Sequence, residues 1–218
     1  QHMIVGEDIF DLYAPTGKGK LNPELVAATR DSGMRGGRGS RSWNREVRVR
    51  RESRPSTLIS LDRAGLLPAI TFIFSRAGCE DAVRQILSTR ITLTTRSEAA
   101  EIESYVDEVI ALLPPEDAIV LGADAWKRGL MRGIAAHHAG MLPLMKESVE
   151  HLFSRGLVKM VYATETLALG INMPARTVVI ESLTKWNGSE HVSLSAGEYT
   201  QLSGRAGRRG IDTEGHAV

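Results

Sequence analysis

Cysteine and aromatic residues are scarce in this 218-residue chain. Its one cysteine, Cys79, has no partner for an internal disulfide, and no apolar run approaches the roughly 18 residues that a membrane span needs. We therefore expect a protein of a reducing, cytoplasmic compartment with no membrane partner. Aromatic residues make up 5% of the chain and hydrophobic residues 42%. That balance is typical of an α/β protein whose core consists of Val, Ile, Leu and Ala.

Excess charge is also lacking, since the formal net charge is only +1. A protein that binds polyanions over its whole surface needs a basic excess, so any nucleic-acid site must be local. Arginine is concentrated with glycine and serine between residues 30 and 54. This composition predicts a flexible segment. Two functions stay open for it: a solvated surface loop, or a loop that contacts the phosphates of a nucleic acid.

Two segments are similar to nucleotide-binding motifs but lack an essential part of them. The stretch TGKGK at residues 16–20 is not a P-loop, because Leu21 stands where the motif G-x-x-x-x-G-K-[ST] requires a hydroxyl residue. The stretch DEVI at Asp107 is similar to a Walker B pair, but the apolar residues around it have helical spacing, which places its carboxylates on a helix surface. The sequence also shows no metal-ligand cluster and no nucleophile constellation. A stand-alone enzyme is therefore disfavoured.

Short apolar runs alternate with helical patterns from Ser56 onward. Each apolar run suits a strand that is buried on both faces. The predicted strands are Ala69 to Phe74, Ile134 to His138, Val158 to Thr164 and Thr177 to Ser182. Helices are predicted over residues 56–67, 78–87, 97–115 and 143–156, the third capped by Ser97 and ended by Pro114. This alternation predicts an α/β fold with a mainly parallel sheet flanked by helices.

Polar residues follow the predicted strands, where ligands collect in an open α/β sheet. They are Ser75 and Arg76 after the first strand, Ala139 and Gly140 after the second, and Thr164, Glu165 and Thr166 at the end of the third. Each group has a simpler explanation by itself: a helix cap with a solvated arginine, one core and one surface histidine at positions 137 and 138, and an ordinary strand end. Together with an arginine-rich stretch near the C-terminus, they predict one shared ligand surface at the carboxyl edge of the sheet.

That stretch, QLSGRAGRRG, sets three arginines among three glycines. The simpler explanation of such a stretch is a glycine-rich turn with exposed arginines. On a helix, however, Arg205 and Arg208 project from neighbouring faces and can converge on one anion. Gly204 and Gly207 remove side chains beside them, so that a second molecule can come close and two guanidinium groups can bind phosphate oxygens. By spacing alone, Arg209 is placed as well as Arg208. The chain thus has arginines suited to the phosphates of a nucleotide and no phosphate cradle of its own.

Three stretches resemble motifs of superfamily 2 helicases, and their residues are similar to those of the superkiller-like DExH-box branch. TFIFSRAGCEDA (residues 71–82) is similar to motif IV, residues 137–180 to motif V preceded by a histidine–glycine block, and QLSGRAGRRG to motif VI. The resemblance extends from about Ser56 to the C-terminus. It implies a RecA-like three-layer sandwich, the second of two RecA-like motor domains. The first domain, with its P-loop and DExH box, is not in this sequence, which is therefore expected to be part of a longer protein.

On this resemblance the chain divides into three parts. Residues 1–15 are expected to be a cloning remnant, Gln1 to Met3, followed by an interdomain linker. Residues 16–55 form the flexible Arg/Gly-rich insert, which the family motifs do not predict, and residues 56–218 form the motor domain.

The resemblance also implies roles for individual residues. ATP and Mg²⁺ would bind mainly to the first domain of the same polypeptide, and Arg205 and Arg208 would act as arginine fingers in ATP hydrolysis. Gln201 would help organise the same cleft, and Gly170 and Asn172 match the motif V turn near the nucleotide.

A second set of residues matches the path of a bound single strand. It consists of Ser75, Arg76, His138, Gly140, Thr164 and Glu165. Contacts there go mainly to phosphate and sugar, so the residues do not distinguish RNA from DNA. From the residues alone, a non-catalytic nucleic-acid-binding module stays open as an alternative to a helicase motor.

Overall fold

The computed structural model describes residues 1–15, 19–34, 52–168 and 173–218. In it the chain forms two compact units, Gln1–Gly65 with Val218, and Leu66–Ala217. Gly170 and Asn172 lie outside the described residues, as do part of the TGKGK stretch and most of the Arg/Gly-rich segment. The functions that the sequence predicts for these positions stay predictions.

The first unit begins with a β-hairpin. Strand β1 (His2–Val5) pairs antiparallel with β2 (Asp8–Asp11), and Gly6 takes the left-handed conformation (φ +69°) in the turn between them. Helices α1 (Pro23–Met34) and α2 (Arg54–Arg63) come next along the chain. Part of the stretch between residues 16 and 55 is therefore helical.

Helix α2 begins two residues before its predicted start. The Ser53 side chain caps it by accepting a hydrogen bond from the Ser56 backbone N–H (3.2 Å), and Pro55 suits the first turn because no N–H is needed there. The helix ends at Arg63, since Gly65 takes a left-handed conformation (φ +67°) two residues later.

The second unit is a five-stranded, wholly parallel sheet flanked by helices. In chain order its elements are β3 (Ala69–Phe72), α3 (Arg76–Leu87), α4 (Arg96–Ile110), α5 (Pro115–Val120), α6 (Ala123–Met131), β4 (Ile134–His137), α7 (Pro143–Ser154), β5 (Met160–Ala163), a 3₁₀ turn (Glu165–Ala168), β6 (Thr177–Ile180), β7 (Thr184–Trp186), β8 (His191–Ser193), α8 (Ala196–Ser203) and β9 (His216–Ala217). The sheet order is β4-β5-β3-β6-β9, and β7 and β8 form a separate hairpin. The predicted α/β fold of RecA-like class is confirmed.

The strand register brings the carboxyl ends of four strands to one level. Phe72 at the end of β3 pairs with Ala163 on one side and with Ile180 on the other, and Ala163 pairs in turn with His137. The residues directly after β3, β4 and β5 therefore meet at one edge of the sheet, which we call the strand-end edge. This edge holds the residues predicted to bind a single strand of nucleic acid.

The core lies between the sheet and its helices. Every residue of β3, β4 and β5 is buried, which confirms these apolar runs as strands covered on both faces. Helix α4 buries Ile102 and Val106, and α7 buries Val149 and Leu152. Spacings of three and four residues set these side chains on one face of each helix, which is why the segments form amphipathic helices against the sheet.

The cap predicted for α4 is wrong by two residues. Thr95, not Ser97, is the N-cap: its hydroxyl accepts from the Glu98 N–H (3.2 Å), and the Glu98 carboxylate accepts from the Thr95 N–H (2.6 Å). Ser97 cannot form this reciprocal pair because a capping box needs the carboxylate three residues after the cap. The helix also ends at Ile110, before the predicted stop.

The DEVI stretch lies on α4, as the helical spacing predicts. Asp107 is exposed there and lies 2.7 Å from the Lys127 Nζ. Its carboxylate is not at the end of a buried strand, where a Walker B pair would hold a metal.

Candidate functional site

At the strand-end edge, Ser75 caps helix α3. Its hydroxyl accepts a hydrogen bond from the Gly78 N–H (3.2 Å), so the simpler explanation of this serine as a helix cap is correct. A Cβ at Gly78 would lie 2.8 Å from Cγ2 of Ile73, so the first turn of α3 packs closely on the end of the strand. Arg76, the next residue, is exposed.

His138 connects the turn after β4 to helix α3 at the strand-end edge. Its Nε2 lies 2.8 Å from the Glu80 carboxylate on α3, and its Nδ1 accepts from the Gly140 N–H (3.2 Å). Nδ1 is therefore the acceptor and Nε2–H the donor to Glu80. A Cβ at Gly140 would lie 3.4 Å from Cδ of Arg76, so the histidine–glycine turn and the start of α3 are neighbours.

Both histidines of the pair are buried, whereas the simpler expectation was one core and one surface residue. His137 is 2% exposed and His138 is 6% exposed. Both are buried because each has a carboxylate partner, Glu150 at 2.8 Å for His137 and Glu80 for His138. Burial lowers the pKa of His137, and the Glu150 contact opposes that effect only in part.

The residues after β5 differ in exposure. Thr164 is buried, with its hydroxyl 2.9 Å from that of Thr166 and its N–H donating to the His137 carbonyl (3.3 Å). Glu165 is half-buried, and its carboxylate lies 3.7 Å from the Lys185 Nζ on β7. Lys185 also lies 2.5 Å from the Glu198 carboxylate on α8.

A cavity of about 250 Å³ unites this region with α8. Glu165, Lys185, Glu198 and Gln201 all line it. The ammonium group of Lys185 lowers the pKa of Glu198 to about 2, and the Glu198 carboxylate raises the pKa of Lys185. Gln201 and Glu165, for which the sequence implied separate roles, are thus brought together at one pocket.

Helix α8 carries Gln201 but not the arginines, so the prediction of a helical QLSGRAGRRG is wrong. The helix starts with a capping box between Ser195 and Glu198 and ends at Ser203, with Gly204 as its C-cap. Gln201 is exposed on it. The three arginines lie beyond the helix, in the segment from Gly204 to Gly215 that we call the arginine loop.

The backbone of the arginine loop runs beside the segment that leads into β6, and the Arg205 side chain reaches the Ala168 carbonyl, five residues after the end of β5. The Ala175 N–H donates to the Arg205 carbonyl (3.0 Å), and the Gly207 N–H donates to the Ala175 carbonyl (2.7 Å). Ala175 lies two residues before β6 begins. These backbone bonds outweigh the helical preference of the sequence, because they satisfy polar groups that would otherwise be buried.

The glycines in this loop let two of its backbone segments pack closely against each other. They do not open a helix surface to a second molecule. Gly207 takes a left-handed conformation (φ +90°). A Cβ at Gly215 would lie 2.5 Å from both the Ala206 carbonyl oxygen and the Gly207 nitrogen. No side chain fits there, so the two ends of the loop are held against each other.

Arg205 and Arg208 have different partners and do not converge on one point by helical spacing. The Arg205 Nη2 donates to the Ala168 carbonyl at the end of the 3₁₀ turn. Arg208 binds Asp212 through two parallel bonds, from Nε to Oδ2 and from Nη2 to Oδ1, both 2.8 Å. Arg209, which spacing made equivalent to Arg208, is exposed.

The Arg208–Asp212 ion pair shifts the pKa of both residues. The guanidinium of Arg208 lowers the pKa of Asp212 to about 2, and Asp212 raises the pKa of Arg208. The Asp212 side chain is 6% exposed and that of Arg208 is 25% exposed. Asp212 therefore stays ionised at neutral pH, and a quarter of the Arg208 side-chain surface stays exposed.

The donors on the arginine loop suit the oxygen atoms of a phosphate group. Guanidinium groups are planar, permanently charged and able to bind phosphate at two points. In the parts of the chain that the structure describes, no cluster of three His, Cys, Asp or Glu residues could hold a metal ion.

Four features of this region were not found from the sequence: Glu80, Lys185, Asp212 and strand β9. Asp212 had a usable signal, since an acid four residues after an arginine is a common pairing distance. Glu80 and Lys185 meet their partners only through the tertiary fold. The two-residue strand β9 is too short for any periodicity to show.

A family model described as "Helicase conserved C-terminal domain" matches residues 114–210. The chain is 51% identical over 233 aligned residues to the probable helicase HelY of Mycobacterium leprae, covering 100% of this chain and 25% of that protein. It is 49% identical over 180 residues to a chloroplast DExH-box ATP-dependent RNA helicase of Arabidopsis thaliana, covering 81% of this chain and 15% of that protein. It is 45% identical over 163 residues to Superkiller complex protein 2 of Homo sapiens, with coverages of 75% and 13%.

The chain spans about a quarter of the length of the HelY relatives that it matches. No helix in the described ranges combines the length and the apolar character of a membrane span. The matched domain, the parallel sheet and the order of motifs IV, V and VI agree with one another. Residues 114–210 match a helicase C-terminal domain, and the chain is homologous to HelY and to the superkiller-like DExH-box helicases of superfamily 2.

Proposed function

We propose that this chain is the second motor domain of an ATP-dependent helicase and supplies Arg205 and Arg208 to a nucleotide held by the first RecA-like domain of the same polypeptide. The observation that carries the proposal is the fixed geometry of Arg208: Asp212 binds its Nε and Nη2 atoms, and a quarter of the side-chain surface stays exposed. A relative is named as an ATP-dependent RNA helicase, which supports ATP as the nucleotide.

The arginines act on the charge that develops during hydrolysis. In phosphoryl transfer to water, negative charge spreads over the oxygens of the transferred group, and a guanidinium positioned beforehand stabilises it. Mg²⁺ would be held by the first domain and would supply further positive charge to the phosphates. Gln201 lies on α8 directly before the arginine loop and is assigned to the same cleft.

The test is a pair of substitutions in the full-length protein. Arg208→Ala should lower ATP turnover by on the order of 10³-fold, because its charge matters most in the transition state. Arg209→Ala is the matched control: it removes the same charge from the adjacent, exposed position and should leave turnover nearly intact. Steady-state hydrolysis is measured with saturating single strand, and strand affinity is measured without nucleotide.

Three outcomes would contradict the assignment. Equal losses of turnover in both variants would show that Arg208 matters no more for hydrolysis than Arg209. Loss of strand binding in Arg208→Ala would move the arginine loop to the nucleic-acid side. Turnover unaffected by either change would show that neither arginine takes part in hydrolysis.

We assign the strand-end edge to a bound single strand of RNA or DNA. Arg76 is exposed and Glu165 half-buried at this edge, whereas His138 and Thr164 are buried. The buried pair therefore shapes the backbone of the edge, and Arg76 is the side chain that reaches phosphate. Such contacts position the strand without reading its sequence.

Arg76→Ala tests this assignment. It should weaken strand binding to the same extent for different sequences and reduce the slope of log affinity against log salt by about one. Arg84→Ala is the control, since Arg84 is exposed on the same helix but pairs with Asp81 at 3.1 Å. An unchanged salt slope in Arg76→Ala would refute the contact.

A further inference from the structure

Asp212 holds Arg208 at three points. Besides the two side-chain bonds, its Oδ2 accepts the Arg208 backbone N–H at 2.9 Å. In return, the Asp212 N–H donates to the Arg208 carbonyl at 3.0 Å. The acid thus fixes both the backbone and the guanidinium of the same residue, which a simple surface ion pair does not do.

The contact leaves one side of the guanidinium available. A guanidinium has five N–H groups, one on Nε and two on each of Nη1 and Nη2. Asp212 takes the Nε–H and one N–H of Nη2. The two groups on Nη1 and the second on Nη2 remain, and they form the edge that can bind two phosphate oxygens in parallel.

The turn that carries the pair is anchored on both sides. Upstream, the backbone bonds at Ala175 hold Arg205 and Gly207. Downstream, the His216 N–H donates to the Arg176 carbonyl at 3.1 Å, where β9 joins β6. Arg208 and Asp212 therefore sit on a short closed loop whose two ends rest on neighbouring residues of one segment.

We propose that Asp212 is a positioning residue for Arg208: it fixes the rotamer of the guanidinium and leaves only the Nη1–Nη2 edge for the nucleotide. The proposal rests on the proposed function, because it matters only if Arg208 meets a phosphate. Donors that are already oriented need no rearrangement when charge develops, and this orientation is what Asp212 supplies. Asp212 acts through Arg208 and does not touch the nucleotide.

Asp212→Asn in the full-length protein tests the idea. The amide keeps the shape of the side chain but turns one oxygen into an N–H group, which cannot accept from the guanidinium. Turnover at saturating ATP should fall by about 10- to 100-fold, less than for loss of the arginine itself, while KM for ATP changes little. Glu214→Gln is the control, since it removes a charge from the same loop at an exposed position without contacting Arg208.

The double variant Arg208→Ala with Asp212→Asn separates positioning from a general structural role. If Asp212 acts only through Arg208, the double variant turns over ATP as slowly as Arg208→Ala alone. A further loss by the factor seen in the single Asp212→Asn variant would overturn the proposal. Thermal unfolding of each variant is measured alongside. Should Asp212→Asn not fold, Asp212→Glu decides: it keeps the carboxylate one methylene further out, so reduced turnover at unchanged KM supports the proposal and wild-type turnover overturns it.

The same data distinguish this proposal from the proposed function. Loss of turnover in Arg208→Ala with wild-type turnover in Asp212→Asn would refute the positioning role and leave the arginine finger in place. Wild-type turnover in Arg208→Ala would refute the finger, and the positioning role with it.

Discussion

Gly215→Ala adds one methyl group at the most closely packed glycine of the arginine loop. The added methyl group would lie 2.5 Å from the Ala206 carbonyl oxygen and from the Gly207 nitrogen, and backbone atoms cannot yield as a flexible side chain can. Overpacking of this kind costs about 1–3 kcal/mol. Separation of the loop would also break the two backbone bonds at Ala175, each with a net contribution of about 0.5–1.5 kcal/mol. We expect a loss of about 2–6 kcal/mol in the free energy of unfolding.

Urea unfolding with circular dichroism detection measures this loss, and a thermal scan should show a midpoint lowered by at least about 4 °C. Gly197→Ala is the matched control: it adds the same methyl group on α8 with no atom within 4 Å. Because alanine favours helix over glycine, this control should be neutral or more stable by up to about 1 kcal/mol. Equal stability of the two variants would refute the close packing on which the loop's geometry depends.

Three further predictions concern charge and catalysis. The folded-state pKa of Asp212 is about 2, below its unfolded value near 3.8, so its contribution to stability is present above pH 3.8 and is lost as pH falls toward 2. The stability difference between wild type and Asp212→Asn, about 1–2 kcal/mol at pH 6, should therefore shrink by pH 3. A difference that stays constant with pH would contradict this prediction. Burial lowers the pKa of His137, so the unfolded state binds the extra proton below pH about 6.5; stability should fall from pH 7 to pH 5, and by less in His137→Gln. The chain by itself should hydrolyse no ATP above a buffer blank, since its described residues offer no metal cluster; measurable turnover would show that it holds a complete site.

The sheet was predictable from the sequence because its strands are short, apolar and buried on both faces. Ile134 to His137 and Met160 to Ala163 match the predicted runs to within one or two residues. Their shared level at the strand-end edge results from parallel pairing, so the approach of Arg76 to Gly140 was predictable as well.

The arginine loop was not predictable in the same way. Residues after Ser203 have helical spacing, but backbone bonds to Ala175 end the helix, and no local pattern shows a partner so far away along the chain. The same holds for Lys185, which meets Glu165 and Glu198 only once β7 and α8 are in place. Long-range contacts thus decide the path of the loop and the partner of Arg205, whereas Arg208 is held by Asp212, four residues away.

The central claim, that Arg208 acts on the transition state of ATP hydrolysis, is tested most directly by nucleotide binding to the full-length protein. Affinities are measured for a non-hydrolysable ATP analogue and for ADP with aluminium fluoride, which mimics the transferring phosphoryl group. Arg208→Ala should weaken binding of the aluminium fluoride complex by on the order of 10³-fold and leave affinity for the ATP analogue nearly unchanged. Equal weakening of both ligands, or of neither, would contradict the claim.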